Sequence, residues 1–121
     1  MAKVRDIMQK NVITIENLKK AHDAAIILKE REISFLVVVK EGKPIGIVSE
    51  RDIVRKIVAD NNDAQTTQLE TIMSKNFKWV EPNASIESAV QKMLNNNIRR
   101  LVVLENENLA GVITQTDLTE F

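Results

Sequence analysis

The feature that most constrains this chain is that it is written twice. Gly46-Ile47-Val48-Ser49-Glu50-Arg51-Asp52 returns as Gly111-Val112-Ile113-Thr114-Gln115-Thr116-Asp117, 65 positions later. The same offset runs without a gap from Ile7 and Ile72 to Ile53 and Leu118. It passes through Met8/Met73, Asn11/Asn76, Ala24/Ala89, Leu36/Leu101, Val37/Val102 and Val38/Val103. So many matches at one offset mark a tandem duplication, and a duplicated unit has to fold as a unit.

The duplication divides the 121 residues into a first repeat at 1–60, a polar linker at 61–68 and a second repeat at 69–121. A unit near 60 residues buries too little of its own surface to be comfortably stable alone. The halves are therefore expected to share a core. The 17 basic and 17 acidic residues cancel. That balance disfavours a basic footprint for nucleic acid or a polybasic membrane patch. No apolar run approaches the ~20 residues that span a bilayer. Met1-Ala2-Lys3-Val4-Arg5 is followed by Asp6 rather than a signal-peptide core, which points to the cytoplasm. The absence of cysteine removes thiolate metal sites and cysteine nucleophiles.

Each repeat predicts the same order of elements. Val4–Met8 reads as a short amphipathic turn, and Val12–Ile15 as a β-branched strand. Ala21, Ala24, Ala25 and Leu28 recur at helical spacing, predicting a helix over 18–31. The continuous run Phe35–Val39 reads as a strand covered on both faces. A tight turn at Glu41–Pro44 leads back into Ile45–Val48, and a helix follows Ser49 through Ile53, Val54 and Ile57. In the second repeat Lys78–Val80 is the first strand. Ser85 is the expected N-cap of a helix whose buried stripe is Ile86, Ala89, Val90, Met93 and Leu94. Phe121 matches Lys56 across the duplication, so the last helix is expected to be shorter than its counterpart.

The repeated junction carries the chemistry. A strand ends in two apolar residues, a hydroxyl opens a helix, and an aspartate lies one turn in. Free N–H groups, a hydroxyl and a carboxylate suit a polyhydroxylated ligand with an anionic tail. Ser49-x-x-Asp52 and Thr114-x-x-Asp117 also fit a capping box, and the two roles can coexist. Arg99 and Arg100 are neighbours at a strand start, so their side chains point to opposite faces. Arg51 reads as a solvated helix residue, with phosphate contact the alternative. His22 has no second ligand beside it and reads as a surface residue. Trp79 reads as packing, with base stacking the alternative. No nucleophile comes with a base and no Walker-type loop is present, so no enzyme is expected.

The order strand, helix, strand, turn, strand, helix, closed by Gly-apolar-apolar-Ser/Thr-x-x-Asp, resembles the cystathionine β-synthase (CBS) domain. The whole chain from residue 4 resembles a tandem CBS pair, or Bateman module. Ile33-Ser34-Phe35-Leu36-Val37-Val38-Val39 and Pro44 to Asp52 carry the likeness in the first half. Asn97 to Val103 and Gly111 to Asp117 carry it in the second. The resemblance implies an α/β (α+β) fold of two β-α-β-β-α repeats packed through their sheets with pseudo-two-fold symmetry. It implies an adenosine ligand, AMP, ADP or ATP, with S-adenosylmethionine less favoured, in a cleft between the repeats, and no catalytic cofactor. It further implies a homodimer, with an unidentified protein target also possible. Carried over residue by residue, Asp52 and Asp117 bind ribose hydroxyls, and Ser49 and Thr114 lie near the ribose or α-phosphate. The backbone edge of Ile13, Thr14 and Ile15 reads adenine. Phe35, Pro44, Ile45 and Ala110 wall the base, and Ser34, Arg99 and Arg100 reach phosphates.

Three functions compete: a nucleotide sensor, a ligand-free dimerisation scaffold and a nucleic-acid binder. Zero net charge makes the last the weakest. A hydroxyl-x-x-aspartate intact in both halves favours the sensor over the scaffold, which has no use for it. The expected order of the two sites is Asp52 first and Asp117 second, because Trp79 crowds the second repeat.

Overall fold

The structure, a computed structural model, describes residues 2–120. The chain forms two compact units. One is Ile13–Asn76; the other is Met1–Val12 together with Phe77–Phe121. The packed units are thus not the sequence repeats, because the segment before each repeat's first strand packs with the other repeat.

The Ile13–Asn76 unit holds β1 (Thr14–Glu16), the helix Ala21–Arg31, β2 (Phe35–Lys40) and β3 (Lys43–Ser49). The sheet order is β1-β2-β3, with β1 parallel to β2 and β2 antiparallel to β3. Strand β1 starts later than its β-branched run suggests, because its ladder with β2 begins at Thr14↔Val37. The helix also starts later, at Ala21 rather than Leu18. The carbonyls of Asn17 and Lys19 accept hydrogen bonds from Glu70 and Leu69 N–H, which holds this stretch out of helical geometry. The hairpin turn is only Glu41-Gly42, both at positive φ (52° and 78°), as two-residue hairpin turns demand.

After β3 the chain makes one α-turn, Glu50–Asp52, and then a π-helical segment, Ile53–Val58. This corrects the expected plain α-helix. Ala59 N–H donates to Val54 C=O (2.8 Å) and Asn62 N–H to Ile57 C=O (2.9 Å), each reaching back five residues. Ile57 is buried while Val54 and Val58 are exposed. A short helix, Leu69–Ile72, closes the unit.

The other unit repeats this plan. It has the helix Val4–Ile7, β4 (Trp79–Val80), the helix Ile86–Asn96, β5 (Arg100–Glu105), β6 (Asn108–Thr114) and the helix Gln115–Thr119, in sheet order β4-β5-β6. In chain order the helices are α1 (Val4–Ile7), α2 (Ala21–Arg31), α3 (Glu50–Asp52), α4 (Leu69–Ile72), α5 (Ile86–Asn96) and α6 (Gln115–Thr119). Ser85 caps α5 as expected, accepting from Ser88 N–H at 3.1 Å. Of the expected α5 stripe, Ala89 and Met93 are buried, but Leu94 is 70% exposed. Phe121, the expected end of the shortened last helix, lies outside the described residues.

Each unit has its own core. Ile15, Ala24, Leu28, Leu36, Val38 and Val48 pack with Leu69 and Ile72 in one. Val80, Ala89, Met93, Leu101, Val103 and Ile113 pack with Val4 in the other. The halves of the sequence therefore complete each other's cores by exchanging α1 and α4. The exchanged segments dock by paired backbone bonds. Gln9 and Val112 exchange bonds of 2.8 and 3.0 Å, and Ser74 and Ile47 do the same at 2.8 and 3.0 Å.

This docking explains the repeated glycine. A Cβ on Gly111 meets Gln9 C=O at 2.5 Å, and one on Gly46 meets the Met73 sulfur at 2.5 Å. Each glycine is where an exchanged segment lies directly on the last strand.

Candidate functional site

In the Ile13–Asn76 unit, β3 ends at Ser49 and α3 begins at once. Ser49 is cross-strand partner to Phe35, so the hydroxyl and the aromatic ring's residue stand side by side at one end of the sheet. The capping box is formed: Ser49 N–H donates to Asp52 Oδ2 (2.8 Å) and Asp52 N–H donates to Ser49 Oγ (3.2 Å). The serine hydroxyl also donates to Oδ2, at 3.1 Å. The second carboxylate oxygen, Oδ1, faces Lys56 Nζ at 3.2 Å. Lys56 in turn donates to Ile72 C=O at 2.7 Å, tying the π-helical segment to the end of α4. The Asp52 side chain is only 13% exposed, which strengthens its charged contacts relative to those on the open surface.

Strand β1 is an edge strand. Ile13 C=O accepts from Val37 N–H and Asn17 N–H donates to Val39 C=O, so these residues face β2. Alternation along the ladder then turns the N–H and C=O of Thr14 to the open edge. Thr14 lies two strand spacings, roughly 10 Å, across the sheet from β3. Ser34 and Arg51 are exposed, and Ser34 C=O accepts from Glu50 N–H at 2.9 Å. Pro44 pairs with Val39, near the hairpin turn, and Ile45 follows it. They lie at the other end of β3 from Phe35, Ser49 and Asp52, so this unit alone does not bring the two groups together.

The other unit repeats the junction with different neighbours. Thr114 N–H donates to Asp117 Oδ2 (2.8 Å) and Asp117 N–H to Thr114 Oγ1 (3.2 Å). Asp117 Oδ1 accepts from Gln9 Nε2 at 2.9 Å, where Asp52 has a lysine. The cross-strand partner of Thr114 is Arg100, so a guanidinium residue takes the place that Phe35 holds beside Ser49. Arg99 lies instead along a groove of about 320 Å³ between α5 and α6, with Leu94, Ile98, Gln115 and Leu118. The two arginines therefore diverge, as their adjacency requires. Ala110 is half-buried on β6.

Trp79 is 44% exposed on edge strand β4. Its C=O accepts from Lys92 Nζ at 2.6 Å, and the same ammonium stands 5.7 Å from the indole centroid. Sequence reading passed over three residues that contact the candidate groups: Lys56, Gln9 and Lys92. Lys56 had a signal in its i,i+4 spacing from Asp52. Gln9 had none, since its partner is reached only through the exchange of α1. Among the described residues no group of three or more His, Asp or Glu side chains could hold a metal ion. No helix among them is long and apolar enough to cross a membrane.

The model of the CBS domain matches residues 4–59 and again 69–121. The chain belongs to the CBS domain family. It is 33% identical over 118 residues to the CBS domain-containing protein YhcV of Bacillus subtilis, covering 98% of this chain and 84% of the relative. A solved structure from Burkholderia ambifaria, described as that of a signal-transduction protein with CBS domains, superposes with a TM-score of 0.90 at 30% identity. That match covers 98% of this chain and 92% of the other. A hexameric CBS-CP12 protein from bloom-forming cyanobacteria superposes with a TM-score of 0.84 at 32% identity, over 98% of this chain and 70% of that one. A CBS pair is generally a regulatory, ligand-binding module, and proteins made of CBS domains alone are generally not enzymes.

Proposed function

We propose that this CBS pair is a sensor for an adenosine nucleotide, AMP, ADP or ATP in preference to S-adenosylmethionine, and that it works as a homodimer. The observation that carries the reading is the state of the Ser49–Asp52 junction. A carboxylate that is only 13% exposed has one oxygen taken by the cap and one held by a single flexible lysine. Capping alone needs only the first oxygen. The second is available to a ribose diol once Lys56 swings aside, and the open edge of Thr14 offers a backbone donor and acceptor to a base. At the Thr114–Asp117 junction of the other unit, Arg100 stands beside the hydroxyl and supplies the planar cation suited to phosphate there.

The dimer surface is supported by exposed apolar side chains on helices: Ile26 on α2, Val54 and Val58 on the π-helical segment, and Leu94 on α5. Val4 and Ile57 are buried within their own units and are unavailable to a partner. Any output to a protein target follows from a ligand that binds one state of this surface more tightly than another.

The test is calorimetric titration of the purified protein with AMP, ATP and adenosine, after mass spectrometry of small molecules released on denaturation. Saturable AMP binding that weakens in Asp52→Asn supports the sensor. No binding of any of the three, with no released ligand, leaves the scaffold.

A further inference from the structure

We propose that Lys92 is a built-in substitute for a ligand, closing the second sheet edge to nucleotide, and that removing its amine opens a second site. The inference deepens the nucleotide reading above and rests on it for the class of ligand.

The argument starts from the ladder of β4. Val102 N–H donates to Lys78 C=O, so Lys78 faces β5 and the N–H and C=O of Trp79 face outward. This is the position that Thr14 holds on β1. On β1 the outward groups are open to a purine. On β4 the outward C=O already receives a donor, Lys92 Nζ at 2.6 Å. An adenine amino group would have to supply that same hydrogen bond. The ammonium also stands over the indole, 5.7 Å from its centroid, which occupies a face on which a base could stack. One side chain thus takes both the polar and the aromatic surface that a purine would use.

The duplication shows what this depends on. Lys92 and Trp79 correspond to Ile27 and Thr14 in the first repeat. Ile27 packs against the core of its unit and has no donor to offer. The difference between an open and a closed edge therefore comes down to one amine on one helix. Lys92 reaches Trp79 from α5 with a flexible stem, so its loss removes no core residue.

The experiment compares the parent, Lys92→Met and Lys92→Arg, with matched melting curves, by calorimetry with AMP and by fluorescence of Trp79, the only tryptophan. Met keeps the stem and removes the amine; Arg keeps a donor and a cation. The expected result is one AMP per chain for the parent and for Lys92→Arg, with unchanged tryptophan emission. For Lys92→Met it is two AMP per chain, with emission quenched by the second. One AMP in Lys92→Met with silent fluorescence overturns the proposal and leaves the sensor reading intact. Two AMP in the parent, with quenching, also overturns it, because the edge is then open despite Lys92. No AMP on the parent or on either variant overturns the proposal, and the sensor reading falls with it when ATP and adenosine also fail to bind. No AMP on the parent but one, with quenching, on Lys92→Met upholds the role of Lys92 and removes the Asp52 site from the sensor reading.

Discussion

Replacing Asp52 by asparagine separates a capping carboxylate from a ligand-binding one. The cap needs an acceptor for Ser49 N–H, now met by Oδ2 at 2.8 Å, and an asparagine oxygen can meet it. The ion pair with Lys56 is lost, but it spans one helical turn and the lysine side chain is 40% exposed. Such pairs contribute only about 0.3–0.5 kcal/mol. The stability of Asp52→Asn should therefore fall by less than ~1 kcal/mol. Asp52→Ala removes the acceptor as well and should lose roughly 0.5–2 kcal/mol, the usual range for a cap. Ligand binding should respond differently. A ribose hydroxyl donating to a carboxylate is a charge-assisted bond contributing about 1.5–3 kcal/mol, part of which a neutral amide forfeits. At 1.4 kcal/mol per decade the full loss is roughly tenfold to a hundredfold weaker AMP binding in Asp52→Ala, and Asp52→Asn should show a smaller weakening. Urea unfolding and AMP calorimetry on the parent and the two variants provide the assay. An asparagine variant that binds AMP as the parent does would refute the reasoning, because charge at Asp52 would then serve only the helix. An asparagine variant as unstable as the alanine one would refute the assumption that the amide can cap.

Gly111→Ala should destabilise more than Gly46→Ala in urea unfolding. The first meets a backbone carbonyl and the second the flexible end of Met73, so about 1–3 kcal/mol is expected for Gly111 and a smaller loss for Gly46. Gln9→Ala should cost about 0.5–1.5 kcal/mol by leaving Asp117 Oδ1 without its partner, with AMP affinity at the Asp52 site unchanged in the same calorimetry. AMP should bind more tightly than adenosine and weaken as salt rises, if a cationic side chain meets the phosphate; equal affinities with no salt effect remove that contact. Val58→Lys should shift light scattering at micromolar protein from dimer to monomer, since it places a charge on a side chain 70% exposed on the apolar helix face.

Much of the local structure was legible because it depends on near neighbours. Ser85 caps α5, and both hydroxyl-x-x-aspartate boxes form, because each needs only residues three apart. The hydrophobic runs Phe35–Val39 and Leu101–Leu104 became the central strands of two small sheets, since a continuous apolar run needs cover on both faces. The start of α2 was not legible. Leu18 fits a helical pattern, but Leu69 and Glu70, far along the chain, take the carbonyls beside it. The π-helical turn after Asp52 has no signature in residue spacing, because an α and a π pattern differ by less than one residue per turn over six residues.

What the sequence determined by itself was the duplication, and with it the element order, the family and the pair of junctions where a hydroxyl and a carboxylate meet at a helix start. These follow from residue type and short spacing. The tertiary structure decided which segments complete which core, why glycine is required at 46 and 111, and what holds the second oxygen of each aspartate. A perfect repeat cannot say whether a segment packs on its own copy or on the other, since the two choices present nearly the same side chains. The exchange of α1 and α4 settles that choice, and it is what brings Gln9 to Asp117 and Met73 to Gly46.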